Sequence, residues 1–178
     1  MKILFTGGGS GGHFYPIIAI AEEINRLVKE HHLLRPDMYY MSNDPYNKGL
    51  LYENSIIFKY STSGKLRRDT TPVNIILNFF DIFKTIWGAL GGLWTVFTIY
   101  PDVVFGKGGY ASFPALFAAK ILRIPVIIHE SDMSPGKVNL WAGKFAQKIA
   151  ISYEESAQFF PASKTAYTGN PIRKQIYD

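Results

Sequence analysis

The chain has 178 residues, of which 47% are hydrophobic and 19% charged, a composition typical of one folded domain and not of a disordered segment. It contains no cysteine, which excludes disulfide bonds, thiolate nucleophiles and thiolate metal sites from its chemistry. The net charge of +5 suits an anionic partner such as phosphate or an acidic lipid surface, and it is too small to indicate a nucleic-acid-binding arm.

Predicted strands and helices alternate along the chain. Short apolar runs predict buried strands at residues 2–6, 37–42, 55–60, 102–106, 125–130 and 148–152. Apolar residues at helical spacing predict helices at about 15–30, 73–98, 111–122 and 134–145, and short elements close the chain. The alternation predicts an α/β fold, a doubly wound parallel sheet, formed by a single domain of residues 1–178.

Three loops of unusual composition directly follow predicted strands. Their sequences are GGGSGGH (7–13), GKGGYAS (106–112) and HESDMSPG (129–136). Ligands of open parallel sheets bind beyond the carboxyl ends of the strands. We therefore expect the three loops to lie together and to form one site.

The two glycine-rich loops are candidates for binding phosphate. A glycine-rich turn that opens a helix presents bare backbone N–H groups, and the helix dipole favours an anion there. The alternative is that the glycines only permit a tight turn. Gly7, Gly9 and Gly12 also match the dinucleotide fingerprint G-x-G-x-x-G, although Asp44 is a poor candidate for binding a ribose. The fingerprint match leaves a nicotinamide oxidoreductase as a minor interpretation, which saturable NAD binding would support.

His13 directly follows the first glycines and is a candidate general base. A neutral imidazole could take a proton from a hydroxyl group held beside a bound diphosphate. The alternative is a residue near a helix start that hydrogen-bonds to the backbone. His129 and Glu130 end a predicted strand and are expected to orient loops. No spacing of side chains predicts a metal site, and no cofactor is expected.

One predicted helix, at about 73–98, is unusually aromatic. The uncharged residues 85–101 are too few for a membrane span of roughly 20 apolar residues, so a span is the minor alternative to a buried or surface-seated helix. Basic residues precede this helix and aromatic residues recur along it, which predicts peripheral binding to an anionic membrane. The alternative is that the aromatic residues pack in the hydrophobic core of the domain. The residues concerned are Lys65, Arg67, Arg68, Ile75, Phe79, Phe80, Phe83 and Trp87.

Four ordered motifs carry a family resemblance. They are GGGSGGHFYPIIAIA, GKGGYASFPALFAA, HESDMSPGKVN and TGNPIR, and together they resemble the amino-terminal half of the MurG family over residues 2–173. This family comprises the peptidoglycan N-acetylglucosaminyltransferases of the two-domain GT-B class. The resemblance implies a Rossmann-like domain at the cytoplasmic face of the cell membrane, in cell-wall synthesis linked to cell shape and cell division.

The resemblance also implies a reaction. The family transfers N-acetylglucosamine, with inversion, from UDP-N-acetylglucosamine to undecaprenyl-diphosphate-muramyl-pentapeptide, which converts lipid I into lipid II. Its amino-terminal domain handles the lipid acceptor and its carboxy-terminal domain holds the donor nucleotide. No second βα domain follows the TGNPIR motif here, so the isolated chain is expected to be inactive.

The resemblance assigns His13 as the candidate base of the acceptor hydroxyl. It implies a diphosphate cradle formed by Gly8, Gly9, Ser10, Gly11, Gly12, Gly106, Lys107, Gly108, Gly109 and Tyr110. The further candidates for the acceptor site are His129, Glu130, Asp132, Asn170 and Arg173. Where the family usually has HEQN, this chain has HESD at 129–132, so the carboxylate of Asp132 replaces an amide and adds negative charge near the diphosphate.

Two functional interpretations stay open at this point. The first is the acceptor half of a metal-independent glycosyltransferase, either a piece of a longer protein or a natural subunit. The second is a non-catalytic membrane-anchoring subunit that presents the lipid acceptor to a partner, as the resemblance to the split transferase of the eukaryotic dolichol pathway implies.

Overall fold

The structure, a computed structural model, describes residues 1–8, 10–65 and 71–173. The strands are β1 (Lys2–Thr6), β2 (Asp37–Ser42), β3 (Ile56–Tyr60), β4 (Val103–Gly106), β5 (Val126–Glu130), β6 (Lys148–Ile151) and β7 (Thr165–Tyr167). The helices are α1 (Gly11–Glu30), α2 (Lys48–Glu53), α3 (Pro72–Ile99), α4 (Phe113–Leu122) and α5 (Lys137–Gly143). Short 3₁₀ turns lie at Tyr110–Ser112, Glu154–Phe159 and Ala162–Lys164.

The seven strands form one parallel sheet in the order β3-β2-β1-β4-β5-β6-β7. The predicted α/β class and doubly wound parallel sheet are therefore confirmed. Helix α2 and strand β7 were not predicted as separate elements. The strand order reverses between β1 and β4, and such a reversal leaves a crevice at the carboxyl ends of the two strands.

Hydrophobic clusters cover both faces of the sheet. Ile3 and Phe5 of β1 pack with Ile17 and Ile18 of α1 in one cluster. Leu4, which points to the opposite face because side chains alternate along a strand, belongs to the cluster that contains α4. The helices thus fix the two central strands from both sides, and the loops that follow these strands start from a rigid base.

Helix α3 packs along the domain by one narrow stripe. The buried residues of this stripe are Asp81, Gly88, Ala89, Gly92, Val96 and Ile99. The aromatic side chains singled out in the sequence lie outside it: Phe79, Phe80 and Phe83 are 58%, 57% and 57% exposed, and Trp87 is 75% exposed. A core role for these side chains is therefore wrong. Ile75 is 57% exposed, Lys65 is also exposed, and Arg67 and Arg68 lie outside the described residues.

By length and composition alone, residues Val73–Ile99 would be long and apolar enough to cross a membrane. Two observations favour a helix that belongs to the domain. Its buried stripe packs against α4 and the loop after β3, and that stripe includes the carboxylate of Asp81. Charged groups are costly in the hydrocarbon core of a bilayer.

Two glycines of α3 allow a stability test of this packing. A Cβ on Gly88 would overlap the carbonyl oxygen of Thr62, whereas a Cβ on Gly91 would have no described atom within 4 Å. We expect Gly91→Ala to raise the free energy of unfolding by about 0.5–1 kcal/mol, because alanine is the better helix former. Gly88→Ala is expected to lower it by about 1–3 kcal/mol, because the loop must move. Urea denaturation measures the free energy of unfolding of both variants. Equal changes in the two variants would contradict the close contact between Gly88 and the carbonyl of Thr62.

Candidate functional site

The two glycine-rich loops touch each other beyond the ends of β1 and β4. The N–H of Lys107 donates to the carbonyl of Thr6 at 2.8 Å, which ties the start of the second loop to the end of β1. A Cβ on Gly109 would overlap the carbonyl oxygen of Gly8, and the φ angle of Gly109 is +80°. Glycine is therefore required at position 109, both for its backbone conformation and for the contact between the loops.

The first loop ends in the amino terminus of α1. The helix begins at Gly11, and the side chain of its N-cap residue, Ser10, makes no capping hydrogen bond within the described part of the chain. The N–H of His13 donates to the carbonyl of Ser10 at 3.1 Å, whereas the Ser10 side chain caps neither Gly11 nor Gly12. The dipole of a 20-residue helix adds partial positive charge. This is an arrangement that binds anions. Gly9 lies outside the described residues.

The hydroxyl of Ser10 contacts His13 instead. Its Oγ lies 2.9 Å from Nδ1 of the imidazole, which is half-buried. Burial, and then the positive charge of Lys107, lower the pKa of His13 below 6.5, while Asp132 and Glu130 act in the opposite direction. The imidazole is consequently neutral near pH 7, the form that can accept a proton.

Lys107 is the buried cation of the site. Its side chain is 1% exposed, and its ammonium donates to the hydroxyl of Ser131 in the loop after β5. Burial lowers the pKa of Lys107 to about 8, against the opposing effect of Glu130 and Asp132. The ammonium is therefore charged at pH 7 and places a positive field behind the two glycine-rich loops.

Glu130 shapes the third loop. Its buried carboxylate accepts hydrogen bonds from the N–H groups of Asp132 and Gly136 at 2.9 and 3.1 Å, and from Nδ2 of Asn139 at 3.0 Å. Asn139 also donates to the carbonyl of His129 at 3.1 Å. These bonds fix the course of residues 131–136.

His129 ties the loop of residues 168–170 to β5. Its Nε2 lies 2.9 Å from the carbonyl oxygen of Gly169. Burial, and next the charge of Lys107, lower the pKa of His129 to about 4, so the ring is neutral at pH 7 and adds no cation to the site. Ser131 Oγ and Asn170 Oδ1 lie 3.5 Å apart, which brings Asn170 next to the partner of Lys107.

Two predicted site residues have their described contacts outside the contact between the loops. Gly106 is the last residue of β4, paired with Thr6 and Ile128, and a Cβ there would come within 2.9 Å of Leu116. Arg173 pairs its Nε with Glu22 of α1 at 3.2 Å, and its guanidinium carbon lies 5.9 Å from the ring centroid of Tyr15.

Two residues that the sequence did not single out each bond one of the two glycine-rich loops. Tyr40 donates from its hydroxyl to the carbonyl of Gly7 at 2.9 Å, and burial raises the pKa of Tyr40 to about 12. Asn43 donates from Nδ2 to the hydroxyl of Tyr110 at 3.1 Å. In the sequence, Tyr40 cannot be told from any other buried strand residue. The polar turn after β2 was a signal that could have identified Asn43 as a residue near the site.

Within residues 1–8, 10–65 and 71–173, no group of three or more His, Asp or Glu side chains is arranged to hold a metal ion. The described polar groups of the site include backbone amides, the ammonium of Lys107, the neutral imidazole of His13 and hydroxyls, and the carboxylates of Glu130 and Asp132 lie near them. Such a set can hold a diphosphate and accept a proton from a neighbouring hydroxyl.

Comparison with known proteins is consistent with this chemistry. Residues 3–151 match the family model described as the glycosyltransferase family 28 N-terminal domain. A UDP-N-acetylglucosamine–N-acetylmuramyl-(pentapeptide) pyrophosphoryl-undecaprenol N-acetylglucosamine transferase of Bacillus cereus is 37% identical over 98% of this chain and 47% of the relative. The corresponding transferase of Treponema denticola is 37% identical over 98% of this chain and 45% of the relative. The chain thus spans about half the length of these relatives.

Solved structures show the same fold. The crystal structure of Acinetobacter baumannii MurG matches 99% of this chain and 47% of that chain, with a TM-score of 0.68 and 21% identity. Anabaena Alr3699/HepE in complex with UDP and glucose matches 96% of this chain and 44% of that chain, with a TM-score of 0.60 and 18% identity. At these identities, the likeness concerns the fold alone.

Proposed function

This chain belongs to glycosyltransferase family 28, and we propose that it is the acceptor-binding half of an inverting transferase. The transferase moves N-acetylglucosamine from UDP-N-acetylglucosamine to undecaprenyl-diphosphate-linked muramyl pentapeptide, the reaction in the names of its relatives. The contact between Gly8 and Gly109 carries the proposal, because it joins two glycine loops into one site for the diphosphate of the acceptor. In this proposal the donor nucleotide binds outside the part of the relatives that this chain matches, and we expect the isolated chain to be inactive.

In this proposal the site binds and activates the acceptor. The first turn of α1 and the second loop donate N–H groups to the diphosphate, and the ammonium of Lys107 adds a positive field from behind. The neutral imidazole of His13 takes the proton of the attacking sugar hydroxyl while the new glycosidic bond forms and UDP leaves from the opposite side of the anomeric carbon.

Acceptor binding tests the proposed function. We expect a short-chain prenyl-diphosphate N-acetylmuramyl analogue to bind this chain saturably in calorimetry, and UDP-N-acetylglucosamine not to bind. A diphosphate diester keeps its charge across neutral pH, so the affinity should fall as the pH rises through about 8, where Lys107 loses its proton. Lys107→Met should bind more weakly and without that fall. Saturable binding of the donor alone would contradict the assignment of this half.

Membrane attachment is a further part of the proposal. Helix α3 exposes large apolar side chains along most of its length, including Phe83, Trp87 and Trp94, the last being 68% exposed. Lys65 precedes the helix, and with Arg67 and Arg68 of the sequence it makes that end basic. An apolar face flanked by basic residues binds anionic membrane surfaces peripherally. We therefore place the protein on the cytoplasmic face of the membrane, with α3 in the interface.

Vesicle sedimentation tests this attachment. Phe83→Ser combined with Trp87→Ser should release the chain from vesicles of anionic phospholipid, because two exposed anchors are lost. Replacing Lys65, Arg67 and Arg68 by Glu should do the same at low salt. Tyr52→Ser is the control, since this 86% exposed ring lies on α2. If the α3 variant sediments as the wild type does, α3 is not the attachment surface.

A further inference from the structure

Two cavities of different chemistry flank the contact between the glycine loops. A cavity of about 240 Å³ is lined by Gly8, Ser10 and the polar or aromatic side chains of Tyr40, Asn43, Asp44 and Tyr46. A second cavity, of about 410 Å³, is lined by Gly109, Phe113 and Val138, with Lys65, Thr85 and Lys137 among its other residues. Tyr110 lines both cavities.

The loop contact lies between the two cavities. Gly8 lines the first cavity and Gly109 lines the second, and these are the residues whose backbones touch. A diphosphate held by the two loops therefore has one cavity on each side. Because a lipid-linked sugar carries its prenyl chain and its sugar on opposite ends of the diphosphate, each end has its own cavity.

The cavity that includes Phe113 is suited to the prenyl end. Phe113 and Val138 provide apolar walls, and Thr85 lies on α3, so the cavity continues to the helix that exposes apolar side chains. The exposed Lys65 and Lys137 flank it with positive charge, as the entry of an anionic lipid headgroup requires.

The cavity that includes Tyr46 is suited to the sugar end. One oxygen of Asp44 accepts from the N–H of Tyr46 at 2.6 Å, and the amide of Asn43 contacts the hydroxyl of Tyr110 at 3.1 Å. The ring of Tyr46 packs against Phe14 and Tyr15, with ring centroids 5.0 and 5.7 Å apart, and is thereby held in place. Carboxylate, amide and hydroxyl groups beside a fixed aromatic ring match the hydroxyls and the C–H face of a sugar.

Resting on the proposed function, we propose that the acceptor binds in one direction, with its sugar in the Tyr46 cavity and its first prenyl units in the Phe113 cavity. Tyr110 separates the two ends. The sugar then lies against Ser10, whose hydroxyl contacts Nδ1 of His13.

Photo-crosslinking tests the direction without any substitution. The first probe is a ten-carbon prenyl diphosphate with a diazirine at the end of the chain, and the second is its N-acetylhexosamine diester with the diazirine on the acyl group. We expect the first probe to label residues 109–113 and 136–138 and the second to label residues 40–46. Exchanged or indiscriminate labelling would overturn the direction while leaving acceptor binding intact. If neither probe gives labelling that excess unlabelled diester suppresses, the proposed function fails as well.

A matched pair of affinities provides the second readout. Tyr46→Ala should lower the affinity for the N-acetylhexosamine diester at least tenfold and leave the affinity for the prenyl diphosphate within twofold. Val138→Phe, which fills the other cavity, should lower both affinities about equally. Thermal unfolding checks that each variant folds. A loss of prenyl diphosphate affinity in Tyr46→Ala as large as the loss for the diester would overturn the assignment of the sugar cavity.

Discussion

Replacing Gly109 by alanine is expected to lower the affinity for a lipid-linked diphosphate about a hundredfold. Two effects act together. The backbone of Gly109 has φ +80° and ψ 159°, a region that residues with a Cβ occupy only at a cost of about 1–3 kcal/mol. The added Cβ would also overlap the carbonyl of Gly8 and force the two loops apart. Calorimetry with the short-chain acceptor analogue measures the loss.

Gly91→Ala provides the matched control for this substitution. Gly91 lies on α3, is outside the lining of both cavities beside the loop contact, and a Cβ there would have no described atom within 4 Å. This variant should bind the analogue as the wild type does. Undiminished binding by a folded Gly109→Ala variant would refute the two-loop cradle, since the cradle depends on that contact.

The second large effect is expected at His13. When this chain is combined with the carboxy-terminal half of a full-length relative, His13→Ala should lower turnover by about 10²- to 10⁴-fold, the usual contribution of a general base. Acceptor affinity should change little. The control is His31→Ala, an exposed histidine at the end of α1. Unchanged turnover in His13→Ala would instead favour the second interpretation, a non-catalytic subunit that anchors and presents the acceptor.

The pH dependence of turnover gives an independent check on His13. A general base works only when deprotonated, so turnover should fall as the pH drops through the pKa of His13. Burial and Lys107 lower that pKa, which places the acid limb below pH 6.5. Lys107→Met removes one of these causes, so the limb should move to higher pH. A limb that stays in place in Lys107→Met would mean that another group titrates.

The sequence predicted the fold well because the signals involved are local. Short apolar runs, and apolar residues at helical spacing, depend only on neighbouring residues, so six strands and four helices were recognised near their observed positions. The six-residue α2 and the three-residue β7 were missed as separate elements, since segments of that length carry little periodicity. Chain order also placed the glycine loops at the carboxyl ends of the strands.

What the sequence could not decide depends on contacts between distant residues. Gly106 and Arg173 belong to recognisable motifs, yet β-sheet pairing and the charge of Glu22 give them other partners. Tyr40 and Asn43 reach the loops only because β2 lies beside β1. The face of α3 that stays exposed follows from packing on α4, because apolar residues occur on all sides of this helix and its sequence does not mark one buried face.

The sequence by itself thus determined the fold class, the glycine loops and the candidate base, because each is written in adjacent residues. Only the tertiary structure decided that Gly8 and Gly109 touch, that Lys107 is buried behind them, and that two cavities of unlike chemistry flank the contact. These features arise where the strand order reverses, since that reversal brings loops about a hundred residues apart in the chain into contact.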